Sequence, residues 1–392
     1  MHFFISAEKS VCRPQKPTGS PLPVSEKSLV TPHHSRYNKK KNRRKKENME
    51  KKMESKAFDI LALGEILLRL SSPVNERIVR GSVFEKCAGG AELNVVSGIS
   101  LMGLRSGIIS KVPKSDIGTY IKNHIRFLGV SDDCLIYDDS PDARLGIYFY
   151  ENGAYPRKSS VIYDRRHSSI NTIRISEIPE NTFSSARMFH TCGISLALSS
   201  QCREVTTQCI RRFRDAGALI SFDVNFRANL WDEAAARQCI TQILPFVDIL
   251  FVSEETSRRT FGKKGTVREI MKSYTQEYPI SIVASTDRKV ISPKKHTFGS
   301  TIYSAKEDLF YQEAPYENID VVDRIGSGDA YVSGVLYGLL AHQDCGRALE
   351  YGNAASAIKN TVPGDLPCTD LAELDRIIAA HKNTGEQSEM NR

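Results

Sequence analysis

DVVDRIGSGDAYVSGVLYGLL, residues 320–340, sets a Gly-x-Gly-Asp turn directly ahead of an apolar helix. From Ala330 onward Val332, Val335, Leu336, Leu339 and Leu340 recur at i, i+3, i+4, i+7 and i+8, the spacing of one buried helical face. That register puts Asp329 at the helix N-cap. Gly326 and Gly328 permit a tight turn with N–H groups facing outward, and the helix N-terminus adds partial positive charge, so the turn favours an anion. A carboxylate in such a place has two readings. Asp is a common N-cap, and Asp329 can simply hold the start of the helix. The sharper reading makes Asp329 a base for a hydroxyl attacking a phosphoryl group, with the amides of Gly326, Ser327 and Gly328 stabilising the transferring charge.

A second stretch, CAGGAELNVVSGISLMGLRSGIISKVPKSDIG at residues 87–118, carries Gly89-Gly90 with Asn94, a helix ending at Gly103 and an Asp116-x-Gly118 turn. Together with the later Asp323-x-x-Gly-x-Gly-Asp329, and in this order, these motifs resemble the PfkB-type carbohydrate kinases, the ribokinase family. The resemblance covers residues 57–380. It implies an α/β fold, a ribokinase-like three-layer sandwich with a mostly parallel central sheet and a small β-sheet lid. It also implies ATP as phosphoryl donor, Mg2+ as cofactor, and the turn at Gly326, Ser327, Gly328 and Asp329 as the catalytic element.

Composition agrees with one large α/β domain plus an appendage. The chain has 392 residues, 40% of them hydrophobic, and no run long enough for a membrane span. The net charge of +8 is unevenly placed: residues 1–56 hold 15 Lys/Arg against five Glu, and the remainder holds 39 basic and 41 acidic groups. The body is therefore near neutral, which argues against nucleic acid as its partner. Residues 1–56, with the run KKKNRRKK at 39–46, read as a disordered basic extension. They admit three interpretations: sequence upstream of a functional start at Met49 or Met53, a solvated arm, or a nuclear or nucleic-acid address. Residues 381–392 read as a disordered tail. The nine cysteines form no Cys-x-x-Cys pair and no metal-ligand spacing, which suits reduced thiols in a cytoplasm, without disulfides or zinc.

Along the body, Phe58 to Leu63, Ser106 to Ser110, Met188 to Thr191, Leu219 to Asp223, Ile249 to Val252 and Ile280 to Ala284 read as buried strands. Helical segments at Ala91 to Met102, Ser200 to Ala216 and Ala234 to Leu244 separate them, the pattern of a parallel sheet covered on both faces. Residues 66–86 and 144–165 break this rhythm. Their alternation predicts antiparallel hairpins standing off the main sheet, where the resembled family carries its lid and where subunits of such kinases often pair, so a homo-oligomer through the lid is expected.

SFDVNFRANLW, residues 221–231, ends a strand with Asp223, Asn225 and Arg227 spaced by two, on one side of its carboxyl end. Arg227 is a candidate fork for a substrate carboxylate; otherwise it pairs with Asp232 or Glu233. DVNFR, the GGAE of residues 89–92 and Tyr163-Asp164-Arg165 resemble the 2-keto-3-deoxygluconate kinases of that family. By this resemblance Gly89, Gly90 and Asn94 lie under the sugar, Tyr148 and Tyr163 contact it from the lid, and Arg165 with Arg227 hold its carboxylate. The implied reaction is ATP-dependent phosphorylation of 2-keto-3-deoxygluconate at its 6-hydroxyl. Two alternatives stand beside it: a fructokinase- or ribokinase-like enzyme for a neutral sugar, and a non-catalytic sugar-binding regulator.

The nucleotide side departs from the wider family. Where many members carry Lys-x-Gly-x-x-Gly, this chain has ASTDRKV at residues 284–290, and where they carry Asn-x-x-Glu it has Ser253-Glu254-Glu255-Thr256. Ser253, Ser285, Thr286 and Arg288 are the candidate ATP contacts. Glu254 or Glu255 would support Mg2+ through water. YGNAASAIKNT, residues 351–361, predicts a helix whose small residues, with Asn353, allow close approach of an adenine or of another helix. Arg324 adds charge beside the expected phosphates.

Overall fold

FDILAL at residues 58–63 is buried on both faces, and this decides the layering. Ile60 and Ala62 enter one apolar cluster, whereas Leu61 and Leu63 enter another. The structure, a computed structural model, describes residues 56–383. What the sequence suggests for residues 1–55 and 384–392 lies outside the described residues.

The first seven strands in chain order are Phe58–Leu63 (β1), Leu67–Ser71 (β2), Glu85–Gly89 (β3), Ser106–Pro113 (β4), Leu135–Asp138 (β5), Gly146–Glu151 (β6) and Ser160–Asp164 (β7). They are followed by Ala186–Cys192 (β8), Leu219–Asp223 (β9), Ile249–Phe251 (β10), Ile282–Ser292 (β11), Lys295–Ser304 (β12), Leu309–Tyr311 (β13) and Tyr316–Asp320 (β14). One sheet has the order β13-β12-β11-β10-β9-β8-β1-β4-β5, with β14 also on β12. From β11 to β5 every pairing is parallel, and β12 to β14 are antiparallel.

Helices lie on both faces, as the strand-helix rhythm predicts. Ala91–Leu101, Ser327–Ala341 and Cys345–Asn360 cover the face of Ile60 and Met188; Ser200–Asp215, Glu233–Ile243 and Val267–Glu277 cover that of Phe189 and Ile220. The result is the three-layer, ribokinase-like sandwich expected. The last helix, Leu371–Lys382, carries regular structure past residue 380.

The two strand-rich segments form a separate four-stranded sheet, order β3-β2-β6-β7. Its outer pairs are antiparallel hairpins, as expected, and a parallel β2/β6 pair joins them, setting Arg69 opposite Tyr148.

Two expectations need correction. The signature helix starts at Ser327 with Gly326 as its N-cap, so Asp329 is the third helical residue and not the cap. Gly326 has φ 81°, and a Cβ there would lie 1.9 Å from the carbonyl oxygen of Asp365, so both backbone conformation and space require glycine. The sequence pattern placed the helix start by its apolar face alone, which cannot see a left-handed residue closing the turn. Likewise Ile280 to Ala284 is only the buried start of a strand. β11 runs on to Ser292 because β12 pairs with it along its length, so that Thr286 and Arg288 sit within a hairpin strand.

Candidate active site

A cleft of about 620 Å³ opens where β1, β9 and β10 end, beneath the lid strands β6 and β7. Ligands of open α/β sheets bind at this end of the strands. Gly326, Ser327, Gly328 and Asp329 form part of its wall. The Ser327 amide donates to the Arg324 carbonyl at 3.2 Å, while the amides of Gly326, Gly328 and Asp329 have no acceptor among the described residues. These free donors, at the positive end of a fifteen-residue helix, face the cleft.

The Asp329 carboxylate accepts from Asn94 Nδ2 at 2.7 Å. Burial raises its pKa to about 6, against the lowering effects of the Asn94 hydrogen bond and of the Arg227 charge. Asp223, at the end of β9, is raised to about 7 by burial and then by the charge of Asp329, with Arg227 opposing. Glu92 is buried in the same wall and raised by burial, although the Cys192 amide and Ser195 hydroxyl donate to it at 3.1 and 2.8 Å. Burial thus raises three neighbouring carboxyls of this wall, Asp329, Asp223 and Glu92, above the ordinary carboxylate range.

On the lid side the cleft brings together Gly90, Asn94, Tyr148, Tyr163, Arg165 and Arg227. The two tyrosine rings lie 5.7 Å apart, and the Arg165 guanidinium stands 5.3 Å from the Tyr163 ring. The two arginines are not equivalent. Arg165 is already paired with the buried carboxylate of Glu65 through Nε and Nη2. Arg227 makes no ion pair among the described residues, and its recorded side-chain bond is to the Phe226 carbonyl at 3.3 Å. The alternative partners are occupied, because Asp232 caps the next helix and Glu233 pairs with Arg259. Arg227 thus has no direct ion-pair partner among the described residues, although its charge acts on the Asp223 and Asp329 carboxylates. Gly89 does not line the cleft; it leaves room for Asp365, whose carboxylate would be 2.2 Å from a Cβ there.

On the opposite side Ser253, Thr286, Arg288 and Arg324 line the cleft. Arg288 and Arg324 make no ion pair among the described residues. Burial, and then the charge of Arg324, pull the Arg288 guanidinium below its ordinary pKa. Two cations held together without a counter-ion make a site for an anion. Strand alternation puts Ser285 on the other face of β11, outside the cleft lining. Asn353 is also outside it, accepting from Ser300 Oγ at 2.6 Å and donating to Glu313 at 2.7 Å. Glu254 and Glu255 point along their helix to Arg258 and Arg259 and do not reach the cleft.

The sequence reading gave no role to Arg69, Asp323, Asp365 or Glu65. Arg69 lies in LLRLS, where alternation put it on one face with Leu67. A charge within an apolar strand was the available signal. Asp365 follows a helix in a Gly-Asp turn that nothing in the sequence tied to the site.

A family model for the pfkB family of carbohydrate kinases matches residues 57–371. The 2-dehydro-3-deoxygalactonokinase of Haloferax volcanii is 33% identical over 320 residues, covering 82% of this chain and 96% of that protein. The 2-dehydro-3-deoxygluconokinase of Bacillus subtilis is 30% identical over 312 residues, covering 79% and 91%. The crystal structure of a 2-dehydro-3-deoxygluconokinase from Thermotoga maritima superposes with a TM-score of 0.78 at 30% identity, covering 82% of this chain and 98% of that one.

Proposed function

This chain belongs to the pfkB family of carbohydrate kinases, and from that premise we propose that it phosphorylates 2-keto-3-deoxygluconate at the 6-hydroxyl, with ATP as donor. As a sugar kinase it is a phosphotransferase. The observation that carries the choice of a sugar acid is the Arg227 guanidinium, which makes no ion pair among the described residues and lines the same cleft as Asp329. A neutral sugar brings that cation no counter-charge, whereas a substrate carboxylate would pair with it directly and accept a forked hydrogen bond.

In the proposed complex the sugar acid lies under Tyr148 and Tyr163 with its carboxylate at Arg227, and its terminal hydroxyl reaches Asp329. The ATP phosphates lie between the helix N-terminus and the Arg288–Arg324 pair. Asp329 accepts the proton as the hydroxyl oxygen bonds to the γ-phosphorus and the bond to ADP breaks. The free amides of Gly326, Gly328 and Asp329 hold the charge on the transferring oxygens. Asn94 keeps the carboxylate oriented. Arg165, held by Glu65, shapes the lid wall.

Magnesium would enter with ATP, as the counter-ion of its phosphates. The described residues contain no group of three potential ligands, and Glu254 and Glu255 are engaged elsewhere. No protein step is routed through the ion. Lid-to-lid pairing is also part of the proposal, since β7 is an edge strand and exposes Ile162, which does not line the cleft.

The reading is tested by assaying ATP consumption with 2-keto-3-deoxygluconate, its C4 epimer 2-keto-3-deoxygalactonate, fructose and ribose, and by locating the product phosphate by phosphorus NMR. Turnover confined to the keto-deoxy acids with phosphate at C6 is expected. Preference for fructose or ribose would make this a neutral-sugar kinase, and no turnover with any acceptor would favour a binding protein.

A further inference from the structure

We infer that Arg69 is a positioning residue that couples the sugar-binding lid to the phosphoryl-holding turn, an inference resting on the placement of the two substrates proposed above. Arg69 lies on lid strand β2 and is 2% exposed. Every arm of its guanidinium is committed. Nη1 donates to Asp365 at 2.6 Å, Nη2 to Asp323 at 2.5 Å and Nε to Ser71 Oγ at 2.6 Å, and its plane stands over the Tyr150 ring at 4.2 Å.

The two carboxylates lead directly to the turn. Asp323 accepts from the Ile325 amide at 3.0 Å with one oxygen and from the Gly364 amide at 3.1 Å with the other. It thereby fixes the residues immediately before Gly326. Asp365 packs its carbonyl against Gly326, and its carboxylate accepts at 2.5 Å from Tyr148, the lid tyrosine that faces the sugar position. Three separate chain segments, β2 of the lid, residues 323–326 and residues 364–365, therefore meet at one guanidinium.

A buried cluster of this kind is a poor device for stability alone, because desolvation offsets the attraction and apolar residues would serve as well. Its consequence is register: the planar fork can bridge two carboxylates at fixed angles, which a Lys ammonium cannot. A sugar that seats Tyr148 also seats Asp365, and through Arg69 and Asp323 it sets the amides of Gly326 to Asp329. Sugar and nucleotide should then strengthen each other's binding reciprocally.

Calorimetry on wild type, Arg69→Met and Arg69→Lys would measure the dissociation constant of a non-hydrolysable ATP analogue with and without 2-keto-3-deoxygluconate. Wild type should show a coupling factor on the order of tenfold. Arg69→Met should reduce it to about twofold or less, and Arg69→Lys should fall between. A structural residue would lower melting temperature and leave the factor unchanged, which would overturn the inference. Hydrogen exchange without ligand gives a second arm: residues 323–329 should exchange faster in either variant, while β9 and β10 do not change. Unchanged protection of 323–329 would likewise overturn it, whatever the substrate. Failure of wild type to bind the sugar acid would instead count against the proposed substrate, and the exchange arm would still decide the role of Arg69.

Discussion

Replacing Asp329 by Asn should make the protein inactive and more stable at once. A carboxyl whose pKa rises from 3.8 to about 6 on folding carries about 3 kcal/mol of unfavourable energy once ionised, and the rim position of Asp329 reduces this to roughly 2–3 kcal/mol. The sign follows from linkage. Below pH 3.8 the carboxyl is protonated in both folded and unfolded chains and costs nothing; the cost develops as pH rises towards 6 and is complete above it. Asn keeps the shape and can still accept from Asn94, but it never ionises. At about 2 °C per kcal/mol for a domain of this size, Asp329→Asn should melt about 4–6 °C above wild type at pH 7.5, with the gap closing towards pH 4. Because Asp223 shares the local charge, the transition reports the pair. Turnover should fall roughly 100-fold or more. The assay is scanning calorimetry of both proteins at pH 4, 5.5 and 7.5 beside steady-state kinetics. Equal melting temperatures at all three values, or near-normal turnover, would refute the assignment of Asp329 as a poised base in the cleft wall.

Wild-type kcat/KM should fall below about pH 6 as Asp329 protonates, and Asn94→Ala should move that limb to higher pH by removing a donor to the ionised form, as a pH–rate profile would show. Gly326→Ala forces a side chain into a left-handed φ and against the Asp365 carbonyl; a loss of about 3 kcal/mol or more in unfolding free energy from denaturant titration, or failure to yield folded protein, is expected. If the lids pair, wild type should elute as a dimer at micromolar concentration and Ile162→Glu as a folded monomer by light scattering.

The sequence carried most of the fold because the β1, β8 and β9 segments are short runs rich in apolar residues and the helices between them keep a 3.6-residue period. The Gly-Ser-Gly-Asp turn was legible because glycine spacing and a following apolar helix are local features. What escaped depends on contacts between distant segments. The apolar pattern of β11 stops at Ala284, so the rest of the hairpin emerges only from its pairing with β12. Asn353 looked open to a nucleotide until the helix was seen to turn it towards Ser300 and Glu313. The Arg69–Asp323–Asp365 cluster joins positions from opposite ends of the domain, and no spacing rule connects them. Arg165 and Arg227 looked alike as cations; only the fold shows that Glu65 neutralises one of them.

That difference supplies the decisive measurement, the kcat/KM of Arg227→Ala relative to wild type on 2-keto-3-deoxygluconate and on a neutral sugar of similar size. Removing the partner of a desolvated carboxylate costs on the order of 2–5 kcal/mol, so the sugar acid should lose about 30-fold or more. The neutral sugar, already a poor substrate, should change by less than about threefold. Equal losses on both would contradict recognition of a carboxylate by Arg227 and return the site to a neutral-sugar kinase, with the chemistry at Asp329 left intact.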